Sequence, residues 1–142
     1  MELFDHPAPL KTVAVIAADV LDPAWHDGRV DLPLNVHRGE TLFGAPLGGA
    51  MTYSFGDLIA HAAATRDLCA GAVIGSGTVS NFDAKTAGSG CIAERRALDA
   101  LDTGRPATPY LRFGERVRLE TLDSEGASVF GDLDQCVVQR NG

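Results

Sequence analysis

Several constellations in this chain carry side chains that could do chemistry. The first is Gly75-Ser76-Gly77-Thr78, where closely spaced glycines follow the short apolar run Gly71–Gly75 (GAVIG). Glycines let backbone N–H groups approach an anion, and the Ser76 and Thr78 hydroxyls add donors. The loop has neither the Gly-Lys-Ser/Thr ending of a phosphate loop nor a G-x-G-x-x-G fingerprint, so nucleotide binding is disfavoured. An ordinary Gly-rich turn and a cradle for an anion or carboxylate both fit the pattern. The second constellation is Asp57 with His61, one helical turn apart. It is either a general base with an orienting carboxylate or a solvated pair that supports a helix. Glu94, in the stretch A-E-R-R, could enter a cleft or pair with Arg95 or Arg96 at the surface. Cys91 could act as a nucleophile only with a basic neighbourhood, which the surrounding residues do not specify. His6, His26 and His37 lack metal-ligand spacing.

Elements must position these groups. Ser54 and Asp57 form an S-x-x-D capping box, and Phe55, Leu58, Ile59, Ala62 and Ala63 share a face, so the spacing predicts a helix over 54–66. Thr12–Ala18 (TVAVIAA) reads as a buried strand. VDLPLNVH puts Val30, Leu32, Leu34 and Val36 on one side of a second strand, with Pro33 forcing an edge or a bulge. GAVIG reads as a short strand that empties into the polar loop Ser76–Gly90. Cys91–Leu101 is expected to begin as a strand and become a short helix before Thr103-Gly104. Arg116–Thr121 alternates, Asp123–Gly126 (DSEG) supplies a turn, and Ser128–Val138 can return as the second strand of a hairpin.

Composition sets the limits. The chain has 142 residues, enough for one domain with a core. Twelve Lys and Arg against 19 Asp and Glu give a formal charge of −7, which argues against nucleic acid as a partner. Sixteen Gly and seven Pro are too many breakers for a helix bundle. The expected class is a β-rich mixed α/β domain with one good helix. Cys69, Cys91 and Cys136 are widely spaced and form no C-x-x-C pair, so reduced thiols are expected rather than a disulfide framework or a zinc ribbon. No basic and apolar leader is visible at the N-terminus, and Thr41–Gly56 is too polar for a membrane span. A cytoplasmic protein with no membrane partner is the expectation.

The run Ser54–Asn81, SFGDLIAHAAATRDLCAGAVIGSGTVSN, resembles the fumarylacetoacetate hydrolase family, in which a helix with a His leads through a Gly turn and a strand to a G-S/A-G-T-x-S loop. Pro109–Leu122 (PYLRFGERVRLETL) resembles the family's segment before its late strands. Residues 13–34 are similar to the stretch after its catalytic lysine region. The resemblance implies a fumarylacetoacetase C-terminal-like β-fold, incomplete at its N-terminal side, as the C-terminal part of such an enzyme. It implies metal-dependent hydrolysis of a C–C bond in acylpyruvates and related 2-oxo acids, in the breakdown of aromatic compounds. Isomerases and decarboxylases share the family. A Mg²⁺ or Ca²⁺ ion held by carboxylates would grip the substrate's oxygens and stabilise the enolate.

Residue by residue, the resemblance implies that Thr78, with Gly77 and Ser76 beside it, contacts the substrate carboxylate. It implies that Glu94 orients the histidine that activates water. Departures accompany these matches. The family's Glu-x-Glu pair and its N-D-W-S-A-R-D-like segment do not occur, so the metal ligands are not expected in this chain. No lysine stands at the matching place by His6, Lys11 lying several residues later, and Ala72 replaces the usual Asp of a Pro-Gly-Asp turn. The implied partners are a small oxo-acid substrate and either a second copy of the chain or a complementary N-terminal part. The alternative is a non-catalytic remnant or scaffold that holds no metal.

Overall fold

The structure is a computed structural model, and it describes residues 18–139. The strands are β1 (Trp25–His26), β2 (Arg29–Val30), β3 (Asn35–Arg38), β4 (Thr41–Gly44), β5 (Arg116–Leu122) and β6 (Ser128–Cys136). The helices are α1 (Phe55–Ala63), α2 (Ala84–Ala87) and α3 (Ile92–Thr103), with short 3-10 turns at Ala18–Leu21 and Gly48–Ala50. β1 and β2 form a small antiparallel ribbon, and the other strands form a four-stranded antiparallel sheet in the order β4-β3-β5-β6. The chain is thus a mixed, β-rich fold.

The late hairpin forms where alternation and the DSEG turn place it. Asp123 Oδ1 accepts from the N–H groups of Glu125 and Ala127, an Asx-type closure that an acidic first turn residue supplies. β5 pairs on one side with β6 and on the other with β3, where Val36 stands opposite Leu119. Period-two geometry then puts Val36, Val117 and Leu119 on one face of the sheet. The start of α3 lies over that face. Ile92 and Cys91, with Phe43 and Leu111, close an apolar cavity of about 240 Å³ against it.

The structure corrects the sequence-based elements at three places. VDLPLNVH is not one strand: β2 ends at Val30, Pro33 makes an isolated bridge to Leu47, and β3 begins at Asn35 with a bulge between Val36 and His37. Proline cannot donate to a ladder, which is the physical reason for the break. Gly71–Gly75 is no strand, since none of its residues joins a ladder. Cys91–Leu101 does not begin as a strand, because α3 is helical from Ile92. The run A-E-R-R-A-L-D-A-L consists of good helix formers. Glu94 reaches back to cap the first turn, and Gly104, at φ 79°, ends the helix in the left-handed region. The expected strand Thr12–Ala18 lies outside the described residues, apart from Ala18 in the first turn.

α1 forms with the expected capping box: Asp57 N–H donates to Ser54 Oγ at 3.1 Å, and Ser54 N–H donates to Asp57 Oδ2 at 2.9 Å. Its start is held by Gly28, whose carbonyl accepts from Phe55 N–H at 2.9 Å, and by stacking of Trp25 on Phe55 at 6.2 Å between centroids. The apolar face of α1 is only partly covered: Phe55, Leu58 and Ala62 are half-buried, Ile59 and Ala63 are exposed, and no residue of the helix is fully buried. Among the described residues the buried apolar core is small, with Val36 and Ala84 its members. Phe82, Leu101, Val73, Phe113, Tyr53 and Tyr110 are all largely exposed.

Candidate active site

The Gly-rich loop is extended but not free. Asn81 ties its far end to the segment at Leu47: Leu47 N–H donates to Asn81 Oδ1 at 2.8 Å, and Asn81 Nδ2 donates to Leu47 O at 3.0 Å. An amide side chain can satisfy a donor and an acceptor of one residue in this way because it presents both groups side by side. Gly77, at φ 74°, turns the loop through a conformation that costs a side-chain residue energy and glycine almost none.

Behind the loop, Gly90 packs so closely that a Cβ there would lie 2.5 Å from Val79 O and 3.3 Å from Thr78 Cγ2. Glycine is therefore required for the start of α3 to approach the loop backbone. Cys91 is the N-cap of α3, and its Sγ accepts from Glu94 N–H at 3.4 Å. The same sulfur stands 3.5 Å from Thr78 Oγ1.

The hydroxyl residues Ser76, Thr78 and Ser80 alternate along the loop and all line one cavity of about 210 Å³. Its opposite wall is Met51, Thr52 and Tyr53 with Leu58 of α1. Arg29 holds that wall through its guanidinium, with Nε donating to Met51 O at 2.8 Å and Nη2 to Thr52 O at 3.1 Å. The result is a small cleft lined by the hydroxyl residues Ser76, Thr78, Ser80, Thr52 and Tyr53 together with the apolar Met51 and Leu58, which suits an anionic head joined to a short apolar body.

A larger groove of about 610 Å³ is lined by Arg38, Arg95 and Arg116 and is a poorer candidate. Each guanidinium is already paired: Arg38 with Glu115 at 2.7 Å, Arg95 with Asp99 at 3.2 Å, and Arg116 Nη2 with Asp134 Oδ2 at 2.7 Å. Anion binding there would have to break an ion pair first.

The sequence-derived candidates fall in different places. Thr78 and Ser76 line the cleft, and Gly77 shapes the loop between them. Glu94 is not among the residues lining it; its Oε2 accepts from Gly90 N–H at 2.9 Å, as the cap of α3. Glu94 therefore reaches the loop indirectly, through Gly90 and Cys91. Asp57 spends Oδ2 on the N–H and hydroxyl of Ser54, bonds that hold its carboxyl below the usual range, and it makes no ion pair with His61 among the described residues. A general base built on that pair has no support. Ser80, Arg29 and Tyr53 were not singled out by the sequence. For Ser80 the signal was available, as the third hydroxyl at alternate spacing in S-G-T-V-S.

A Mg²⁺ or Ca²⁺ ion does not fit the described residues, among which no three His, Cys, Asp or Glu side chains are grouped to hold one. No helix among them is long and apolar enough to cross a membrane. A family model described as Fumarylacetoacetate (FAA) hydrolase C-terminal matches residues 2–138, a span that includes the loop, both cavity walls and α3. No curated protein matches the chain.

Proposed function

The chain belongs to the fumarylacetoacetate hydrolase family, and from that premise we propose that it serves the hydrolysis of a C–C bond in acylpyruvates and related 2-oxo acids, with residues 75–81 as the substrate-carboxylate loop. The observation that carries this reading is the row Ser76, Thr78 and Ser80 facing Met51 and Leu58 across one small cavity. Hydroxyl donors satisfy a carboxylate that is leaving water, and the apolar wall accepts the acyl end. The volume suits a short acyl group.

In this reaction water adds to the acyl carbonyl carbon. The bond to the pyruvate unit then breaks, with its electron pair going to that unit as an enolate. A proton returns to the enolate carbon, and the products are a carboxylic acid and pyruvate. This chain's part is to bind and orient: Thr78 and its neighbours fix the carboxylate end, so that the acyl carbonyl stands in one place. Glu94 keeps the part that family likeness suggests for it, as the carboxylate that orients a water-activating histidine. Gly90 occupies its Oε2, and the reading assigns Oε1 to the histidine.

The site works in an assembly, either of two copies or with a complementary N-terminal part. The exposed apolar residues Phe82, Val73 and Ile59 support this. A second reading, a non-catalytic member that binds carboxylates without turning them over, is favoured by the lack of grouped metal ligands among the described residues.

The test is turnover of acetylpyruvate by the chain and its Thr78→Val variant, followed by pyruvate release. Loss of one carboxylate hydrogen bond lowers kcat/KM about tenfold or more. Measurable turnover that is equal in the two proteins contradicts the assignment of the loop, and saturable binding without turnover favours the second reading.

A further inference from the structure

We infer that Cys91 is a positioning residue for Thr78, through a chain of hydrogen bonds that runs from the first turn of α3 to the substrate carboxylate. The inference rests on the reading of residues 75–81 as the carboxylate loop. Its geometry is independent of that reading. Cys91 Sγ accepts from Glu94 N–H at 3.4 Å and lies 3.5 Å from Thr78 Oγ1. Gly90 also packs near Thr78, which is otherwise exposed: a Cβ at Gly90 would stand 3.3 Å from the Thr78 methyl. Cys91 also lines the apolar cavity that Val36, Val117 and Leu119 line from the sheet, so the residue stands between the sheet and the loop.

A thiol is both a weak donor and a weak acceptor, and so is a hydroxyl in stronger form. Without substrate, Thr78 O–H donates to Cys91 Sγ. When a carboxylate enters, Thr78 must donate to it, and its own oxygen is left to accept. Cys91 S–H can then turn and donate to Thr78 Oγ1, while Glu94 N–H continues to donate to the sulfur. Only two rotors move, no proton changes owner, and the chain Glu94 N–H to Cys91 S–H to Thr78 O–H to carboxylate runs in one direction. Bonds aligned in this way polarise one another. The arrangement strengthens the donor that matters, from a helix N-terminus whose N–H groups point the same way.

The test is a double-mutant cycle on pyruvate affinity, with Thr78→Val, Cys91→Ala, the pair together, and Cys91→Ser. The proposal expects Cys91→Ala to weaken pyruvate about five- to tenfold, the range of one hydrogen bond. It expects the double variant to be no weaker than Thr78→Val alone, and Cys91→Ser to restore affinity to within about twofold, because a serine keeps both donor and acceptor. Additive losses, or an unchanged Cys91→Ala, would overturn it while leaving the loop reading intact. Pyruvate binding that Thr78→Val does not alter, or no binding by the parent chain, would overturn the loop reading instead. The link itself is then decided by the Thr78 side-chain rotamer, read from three-bond couplings. One fixed rotamer in the parent and in Cys91→Ser, with averaging in Cys91→Ala, supports it; the same rotamer in all three overturns it.

Discussion

Asn81 and Leu47 are joined by a pair of hydrogen bonds, Leu47 N–H to Asn81 Oδ1 at 2.8 Å and Asn81 Nδ2 to Leu47 O at 3.0 Å, across 34 positions of sequence. The pair fastens one wall of the candidate site to the segment that leads into the other. It does so with a side chain where no strand is available, since residues 72–80 join no ladder. Asn81→Ala removes both bonds and is expected to cost about 1–2 kcal/mol of stability. It should also raise KM for an acylpyruvate more than it lowers kcat. Thermal denaturation and steady-state kinetics of the variant check this, and an unchanged melting temperature with unchanged KM would contradict it.

Arg29 performs the matching task on the opposite wall, where its fork reaches the carbonyls of Met51, Thr52 and Asp27. A lysine carries the same charge but cannot present planar, divergent donors to three carbonyls. Arg29→Lys is therefore expected to weaken pyruvate binding several-fold, by roughly one lost hydrogen bond's worth of positioning. Titration calorimetry reads the effect; parent-like affinity in Arg29→Lys would show that the Met51–Tyr53 wall is held by something else.

The elements around this site were legible to different degrees, for physical reasons that differ. The capping box of α1 and the β5–β6 hairpin depend on neighbours in sequence, so Ser54, Asp57 and Asp123 announce them. Cys91–Leu101 is charged in its middle and Ala-rich at its end, a pattern that fits strand or helix, so only the later part of α3 is expected from it. Glu94 and Gly104 had in fact the spacing of an N-terminal cap and a left-handed stop. The hydroxyls Ser76 and Thr78 could be read as donors, but not the far wall that faces them. Met51 and Leu58 come to the cavity through Arg29 and through the Trp25–Phe55 stack, contacts between residues distant in sequence. The link between Cys91 and Thr78 was equally invisible, because nothing in the spacing of a cysteine and a threonine 13 residues apart places them side by side.

Asp99 gives the fold a dependence on acid. It is almost fully buried, and its Oδ2 accepts the N–H groups of Ala107 and Thr108 at 3.1 and 2.7 Å. Bonds from Thr108, and after them Ala107 and the charge of Arg95, hold its carboxyl below the ordinary 3.8 in spite of the desolvation that opposes them. A carboxyl depressed in the folded state stabilises that state above its unfolded pKa, and the contribution disappears as pH falls through the lower folded value. Stability should therefore decline below about pH 4. Asp99→Asn should be less stable at neutral pH and show a shallower acid limb, measured as melting temperature against pH. An acid limb of equal slope in the two proteins would contradict this role.

The exposed apolar residues make the state of association a further test. Phe82 and Val73 are largely exposed, and Ile59 of α1 is exposed as well, which leaves apolar side chains for a partner to cover. Sedimentation velocity is expected to show dimers or larger species over the micromolar range. A monodisperse monomer at every concentration would count against the assembly.

The most direct measurement is an amide chemical-shift map of the chain during titration with pyruvate. Binding through the hydroxyl row should move the resonances of residues 76–80 and 51–53, saturably, and leave those of Arg38, Arg95 and Arg116 in place. Saturable shifts centred on the arginine groove, or no shifts at any concentration, would contradict the assignment of residues 75–81 as the substrate-carboxylate loop.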